Sequence, residues 1–236
     1  MPPLSLFKKR NRPSGLEFPS CYLCNHGTRA ADAAVAFLAR IDPFGDDVTT
    51  WKVQESLKLL RSLGTLAPGF KAELFDDSNA KDTLLRTPGG VLVPVAETHA
   101  GPIAQSLLNV FGAKLGMALY REHTGDALPL EGGVHAMWFL NNGLSQTTAD
   151  GMLRILPVHN TLTQGQRKSA SGQFDYRFNS DDRSIVAALS HFHSNIHFFT
   201  IAMAQPSLYG FPRSMRFSAF VRPGELTKFM PRAPGT

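Results

Sequence analysis

Cysteine occurs twice in this chain of 236 residues, at Cys21 and Cys24, within Ser20-Cys21-Tyr22-Leu23-Cys24-Asn25-His26-Gly27-Thr28. A C-x-x-C turn directs two sulfurs toward one point, which suits soft-metal ligation or thiol–disulfide exchange. A structural zinc needs four ligands, so the pair is half of a site, with His26 as the nearest third ligand. The redox reading is the weaker of the two, because the surrounding sequence lacks the βαβ pattern that usually carries a redox C-x-x-C.

The remaining groups capable of chemistry are less organised. His191, His193 and His197 would share one face of an uninterrupted strand, but Ser194 and Asn195 have the composition of a two-residue hairpin turn. That register sets His193 opposite Ile196 and Phe192 opposite His197. It puts His197 on the other face from His191 and His193, leaving too few ligands for a metal. Glu122 and His123 are adjacent, yet neighbours on a helix point about 100° apart, so they read as capping and solvated groups. Asp76, Asp77 and Asp82 lie in a polar stretch without a histidine and read as a solvated loop.

The elements that position these residues follow from hydrophobic spacing. Thr28 suits the cap of a helix in which Ala30, Ala34, Phe37, Leu38 and Ile41 keep the helical period, with Asp32 in its first turn. A second helix is expected over about 49–63, burying Trp51, Val53, Leu57 and Leu60 and stopping at Gly64. Residues 66–90 are turn-rich, and 91–95 have strand composition with Pro94 marking an edge. The longest element should run over about 101–123, begun by Pro102 and ended at Gly125, with Gly112 and Gly116 on one side for close approach of another backbone. Strands are expected over 134–140, 173–178, 184–192, 196–204 and 215–221, with a short helix near 147–156 and a polar loop over 161–171. Short connections imply an antiparallel meander covered on one face by the long helix. The expected class is α+β: a helical N-terminal half with a long central helix packed on a C-terminal antiparallel β-sheet. The expected organisation is one domain over 20–222, between a basic flexible arm (1–19) and a loose proline-bearing tail (223–236).

With 43% hydrophobic and 18% charged residues, the chain can bury a substantial core. The longest apolar window, 184–204, is broken by His191, His193, Ser194, Asn195 and His197, so no membrane helix is expected. No apolar segment follows the basic N-terminal residues, which argues against a secretory signal and makes a cytoplasmic location the expectation. Two cysteines do not make a disulfide scaffold. A net charge of +5 and a pI near 9.4 permit contact with nucleic acid, and Lys8, Lys9, Arg10 and Arg12 are the local cluster that could touch phosphates.

The run Cys21-Tyr22-Leu23-Cys24-Asn25-His26-Gly27-Thr28, with Asp32 following, resembles the second zinc knuckle of bacterial HNH-endonuclease-like proteins, where C-x-x-C-N-x-G-T precedes a helix with an early aspartate. The segment from Lys114 to Gly125 is similar to the helix-to-turn region that follows that knuckle. The resemblance covers 16–142 loosely and about twenty positions closely. It implies zinc on Cys21, Cys24 and His26, and DNA or another protein as partner. The family also carries an earlier cysteine pair and an acid–histidine pair, whose histidine activates water beside a divalent metal. No cysteine or histidine precedes Cys21. The expectation is therefore a non-catalytic nucleic-acid- or protein-binding protein derived from that architecture. Two alternatives stand beside it: a metal-dependent nuclease using His26, His99 and His123, and a mobile-element inhibitor that binds another protein through its sheet.

Overall fold

A computed structural model describes residues 3–7, 20–41, 50–76, 78, 80–86, 90–98, 100–140, 146–160, 173–193, 195–209 and 219–231. The fold is α+β, organised by one helix and one sheet. Helix α5 (Pro102–Thr124) starts at Pro102 and ends at Gly125, whose φ of 82° is the left-handed conformation that glycine adopts without strain. It lies across an antiparallel sheet of β3 (Gly133–Leu140), β4 (Val158–Asn160), β5 (Phe174–Ser180), β6 (Ile185–Phe192), β7 (Ile196–Met203) and β8 (Ala219–Val221). The order is β4-β5-β6-β7-β3-β8. Three strands form the expected meander, while β3, earliest in the chain, is inserted between β7 and β8. Of the strand expected over 215–221, residues 215–218 lie outside the described residues, as does the loop over 161–171.

Gly112 and Gly116 let α5 settle onto the sheet. A Cβ on Gly116 would stand 2.5 Å from Val134 Cγ1 and 3.2 Å from Thr200 Cβ, and one on Gly112 would stand 3.0 Å from Ala136 Cβ. Around them Phe111, Phe192 and Phe198 interlock, with ring centroids 5.0–5.6 Å from Phe111. The opposite sheet face carries Phe199, Ile201 and Met203 with Leu156 and Met152, the latter in α6 (Gln146–Ile155). Helix α2 (Arg29–Leu38) packs on α5 from outside, and α3 (Thr50–Leu66) packs on α2.

Helix α3 differs from the expectation. It runs through Gly64 to Leu66, and the reversal waits for Gly69, at φ 90° before α4 (Phe70–Leu74). Its buried side is Leu63, with Leu59 and Leu60 packed beside it at helical spacing; Val53 and Leu57 are exposed. Glu73 of α4 then reaches across the chain. Its Oε2 accepts from Ile103 N at 2.9 Å and its Oε1 from Ala104 N at 2.8 Å, satisfying amides that the first turn of α5 cannot pair.

Between α4 and α5 the chain makes a separate hairpin, β1 (Ala80–Arg86) with β2 (Leu92–Thr98), in which Leu84 faces Pro94. β1 falls in the stretch expected to be turns, and Asp82 lies within it. Ala-Lys-Asp-Thr-Leu-Leu-Arg has no alternation, so pairing with β2 decides its conformation.

The described parts of both terminal segments pack on the core. Leu4–Leu6 form a 3₁₀ turn that buries Leu6 and Phe7 and receives an Arg40 hydrogen bond on Ser5 O. In the tail, Leu226–Phe229 form another 3₁₀ turn, with Leu226 buried against the core.

The β6–β7 hairpin corrects the expected histidine register. Phe192 pairs with Ile196 and His191 with His197, so the connection spans His193 to Asn195, one residue longer than a two-residue turn. His193 has a φ of 52°, and Asn195 N donates to Phe192 O at 3.2 Å. One extra loop residue exchanges the faces. His191 and His197 therefore stand side by side, ring centroids 5.8 Å apart, while His193 bonds Leu6 O. Buried Asn195 donates to Leu38 O at 2.7 Å, tying the hairpin tip to α2.

Candidate functional site

The cysteine turn is itself a short helix, α1 (Tyr22–Gly27), with Cys21 as its N-cap residue in extended conformation. The Cys21 sulfur accepts the Cys24 N–H at 3.2 Å, and Asn25 N donates to Cys21 O at 2.9 Å. Cys21 is exposed, whereas Cys24 is half-buried against the core. Thr28 does not cap α2 through its side chain. It is buried between the two helices, and its hydroxyl donates to Cys24 O at 2.6 Å. Gly27 fits against Thr227, whose Cγ2 would lie 2.6 Å from an added Cβ, so the turn near the C-terminus braces α1 from behind.

Asp32 has a partner that no local pattern reveals. Lys114 Nζ on α5 lies 2.7 Å from Oδ1 and 2.9 Å from Oδ2, with side chains only 6% and 16% exposed for Lys114 and Asp32. The pair joins α2 to α5 beneath the cysteine turn. Burial pushes the Asp32 carboxyl above its ordinary range, and the ammonium opposes that shift. The same ammonium favours the Cys24 thiolate, but burial and the neighbouring Cys21 outweigh it and raise the Cys24 thiol. Hydrogen bonding from the Cys24 side chain and backbone lowers Cys21. The two thiols are therefore unequal: one accessible and more acidic, one sheltered and less so.

These groups line an open cleft of about 1220 Å³ between α1, α2, α5 and the segment around Pro223–Leu226. Among the described residues of its lining, Arg29, Lys114 and Arg121 are the cationic side chains and Asp32 the one carboxylate, already engaged by Lys114. His26 lies on the rim, stacked on Tyr22 with centroids 4.0 Å apart and planes at 27°.

The other sequence candidates lie elsewhere. His123 makes a 3.1 Å hydrogen bond to Tyr176 Oη and stacks on Phe178 at 3.7 Å, and burial lowers its pKa. His99 and the cluster Lys8, Lys9, Arg10 and Arg12 lie outside the described residues, as does Asp77. Asp76 is exposed and turns back to Ser78, its Oδ1 accepting the Ser78 N–H at 2.9 Å. On the sheet face away from α5, Asp175 Oδ2 lies 2.8 Å from His191 Nε2 in the row that continues to His197. His197 Nε2 is buried with no hydrogen-bond partner among the described residues, and burial, reinforced by His191, lowers its pKa to about 4. Among the described residues, no group of three or more histidine, cysteine, aspartate or glutamate side chains converges where it could hold a metal ion. The cysteine pair thus stands without a third ligand there.

Lys114, Arg29 and Arg121 carry the cleft's charge, and sequence reasoning missed all three. A lysine within an apolar helix face is a signal that it needs a buried acid; the arginines give no such signal. No helix is long and apolar enough to cross a membrane among the described residues. Comparison with protein-family models, with curated proteins and with solved structures found no match to this chain.

Proposed function

We propose that this chain is a nucleic-acid-binding protein derived from an HNH-nuclease-like architecture and without its nuclease catalysis, and that the cleft beneath the cysteine turn is its contact surface. The observation that carries the reading is the cleft's charge. Arg29 and Arg121 face it with no carboxylate partner among the described residues, and the one acid in the lining is neutralised by Lys114. A groove with cations in excess attracts a phosphate backbone and releases its counterions. The knuckle-like turn supports the same reading as a scaffold that holds Arg29 at the rim.

The test is fluorescence anisotropy of labelled single- and double-stranded DNA between about 50 and 200 mM salt. Binding should weaken linearly on logarithmic axes as salt rises. The double variant Arg29→Ala, Arg121→Ala should weaken binding to all sequences alike and reduce the slope by about 1.5–2. Absence of binding at low salt, or an unchanged slope in the double variant, would reject this surface and favour a protein partner.

A further inference from the structure

The cysteine pair holds chemistry that the cleft's charge does not use. Cys21 occupies the N-cap position and Cys24 the third helical position, the arrangement in which side chains reach back toward one another at a helix start. The Cys21 sulfur already accepts the Cys24 amide at 3.2 Å. The first sulfur is open to solvent, the second is half-buried behind it, and both line the cleft. Only two residues separate them, so a bond between them closes a very short loop and constrains the unfolded chain little. Such a bond suits turnover better than structural support.

We propose that Cys21 and Cys24 are a dithiol that reduces a carboxylate-bearing disulfide bound in the cleft, Cys21 attacking first and Cys24 resolving. In the first step, a bond forms between the Cys21 sulfur and one substrate sulfur as the substrate S–S bond breaks. The departing sulfur leaves as a thiol with the proton that Cys21 gives up. In the second step, Cys24 attacks the Cys21 sulfur of this mixed disulfide. The Cys21–Cys24 bond forms, and the second substrate sulfur leaves as a thiol with the proton from Cys24. The protein is oxidised by two electrons and the substrate reduced by two; a small thiol in excess runs the sequence backward. Arg29 and Arg121, which line the same cleft, attract the substrate's carboxylates. The assignment goes beyond DNA binding and stands on the sulfur geometry, so either can fail alone.

The experiment uses the full chain and glutathione disulfide as probe, with acid quenching, alkylation and intact mass measurement. The wild type should lose two hydrogens and keep no glutathione adduct. Cys24→Ser should hold one adduct at Cys21, and Cys21→Ser should react about tenfold or more slowly, because its remaining thiol is sheltered. A persistent adduct on the wild type, or equal rates for the two variants, would overturn the proposal. So would stoichiometric zinc held by both thiols in the purified protein. Cys24→Ala serves as a second resolving-thiol variant, with circular dichroism checking that each folds. The wild-type product alone decides if neither does.

Discussion

Replacing Lys114 by methionine should unfold the protein more readily than any other single change in the cleft. The substitution keeps the length and apolar stem of the side chain and removes the ammonium that holds both oxygens of Asp32. The carboxylate is then left with only 16% of its side chain exposed and without its cation. Removing one partner of a buried pair costs about 3–5 kcal/mol, and the residual exposure of Asp32 places the expected loss near the lower end, about 3 kcal/mol. For a chain of this size each kcal/mol corresponds to about 2–4 °C, so the melting temperature should fall by about 6–12 °C. Replacing both partners, as Asp32→Leu with Lys114→Met, should restore most of that loss, since two apolar groups need no mutual neutralisation. Urea unfolding of the wild type, both single variants and the double variant gives the coupling energy, expected at about 2 kcal/mol or more. A coupling near zero, or a Lys114→Met variant as stable as the wild type, would show that the pair does not join α2 to α5.

Three further outcomes follow from packing and protonation. Gly116→Ala should cost about 1–2 kcal/mol, since the new methyl meets Val134 at 2.5 Å; Gly64→Ala, with nothing within 4 Å, should gain about 0.5–1 kcal/mol, both read from urea midpoints. His197 titrates near 4 when folded and near 6.5 in the unfolded chain, so the unfolded state takes up the proton first on acidification. Its stabilisation is complete above about pH 6.5 and is lost as the pH falls toward 4, by about 1–3 kcal/mol after allowance for partial exposure. Unfolding midpoints at about pH 7 and about pH 4.5 should therefore converge in His197→Asn, and an undiminished difference would assign the acid sensitivity to other groups such as His123 and His135, which shift in the same direction.

What could be read in the sequence was what depends on near neighbours. Helix α5 announces itself through Pro102, its apolar stripe and Gly125, and β5 through the alternation of Phe174, Tyr176 and Phe178. The paired glycines pointed to a close approach, but what comes close is the side chains of Ala136, Phe198, Val134 and Thr200 rather than another backbone. Features set by distant partners were invisible. Asp32 looks like an ordinary first-turn acid until Lys114, 82 positions away, is seen against it. The face of His197 hung on a single loop residue, and composition at Ser194-Asn195 could not count that residue. At the candidate site, Cys21, Cys24 and His26 stood out as a local cluster, and the structure places all three in the lining of the cleft. The charged walls were not legible, because Arg29 and Arg121 come to line one cleft only once α2 and α5 have packed.

The Glu73 carboxylate has a consequence for how this chain tolerates change. It pins Ile103 and Ala104 from thirty positions upstream, so the chain departs after α4 and returns to nearly the same place before α5. Among the described residues, the β1–β2 hairpin between them is hydrogen-bonded to no other strand, and the Glu73 carboxylate links the two ends of this detour. Lengthening or shortening such a detour changes loop-closure entropy only slowly and leaves the helix start where it was. This is where the molecule can accept a new module, a tag or a different hairpin while the sheet and the cleft keep their shape.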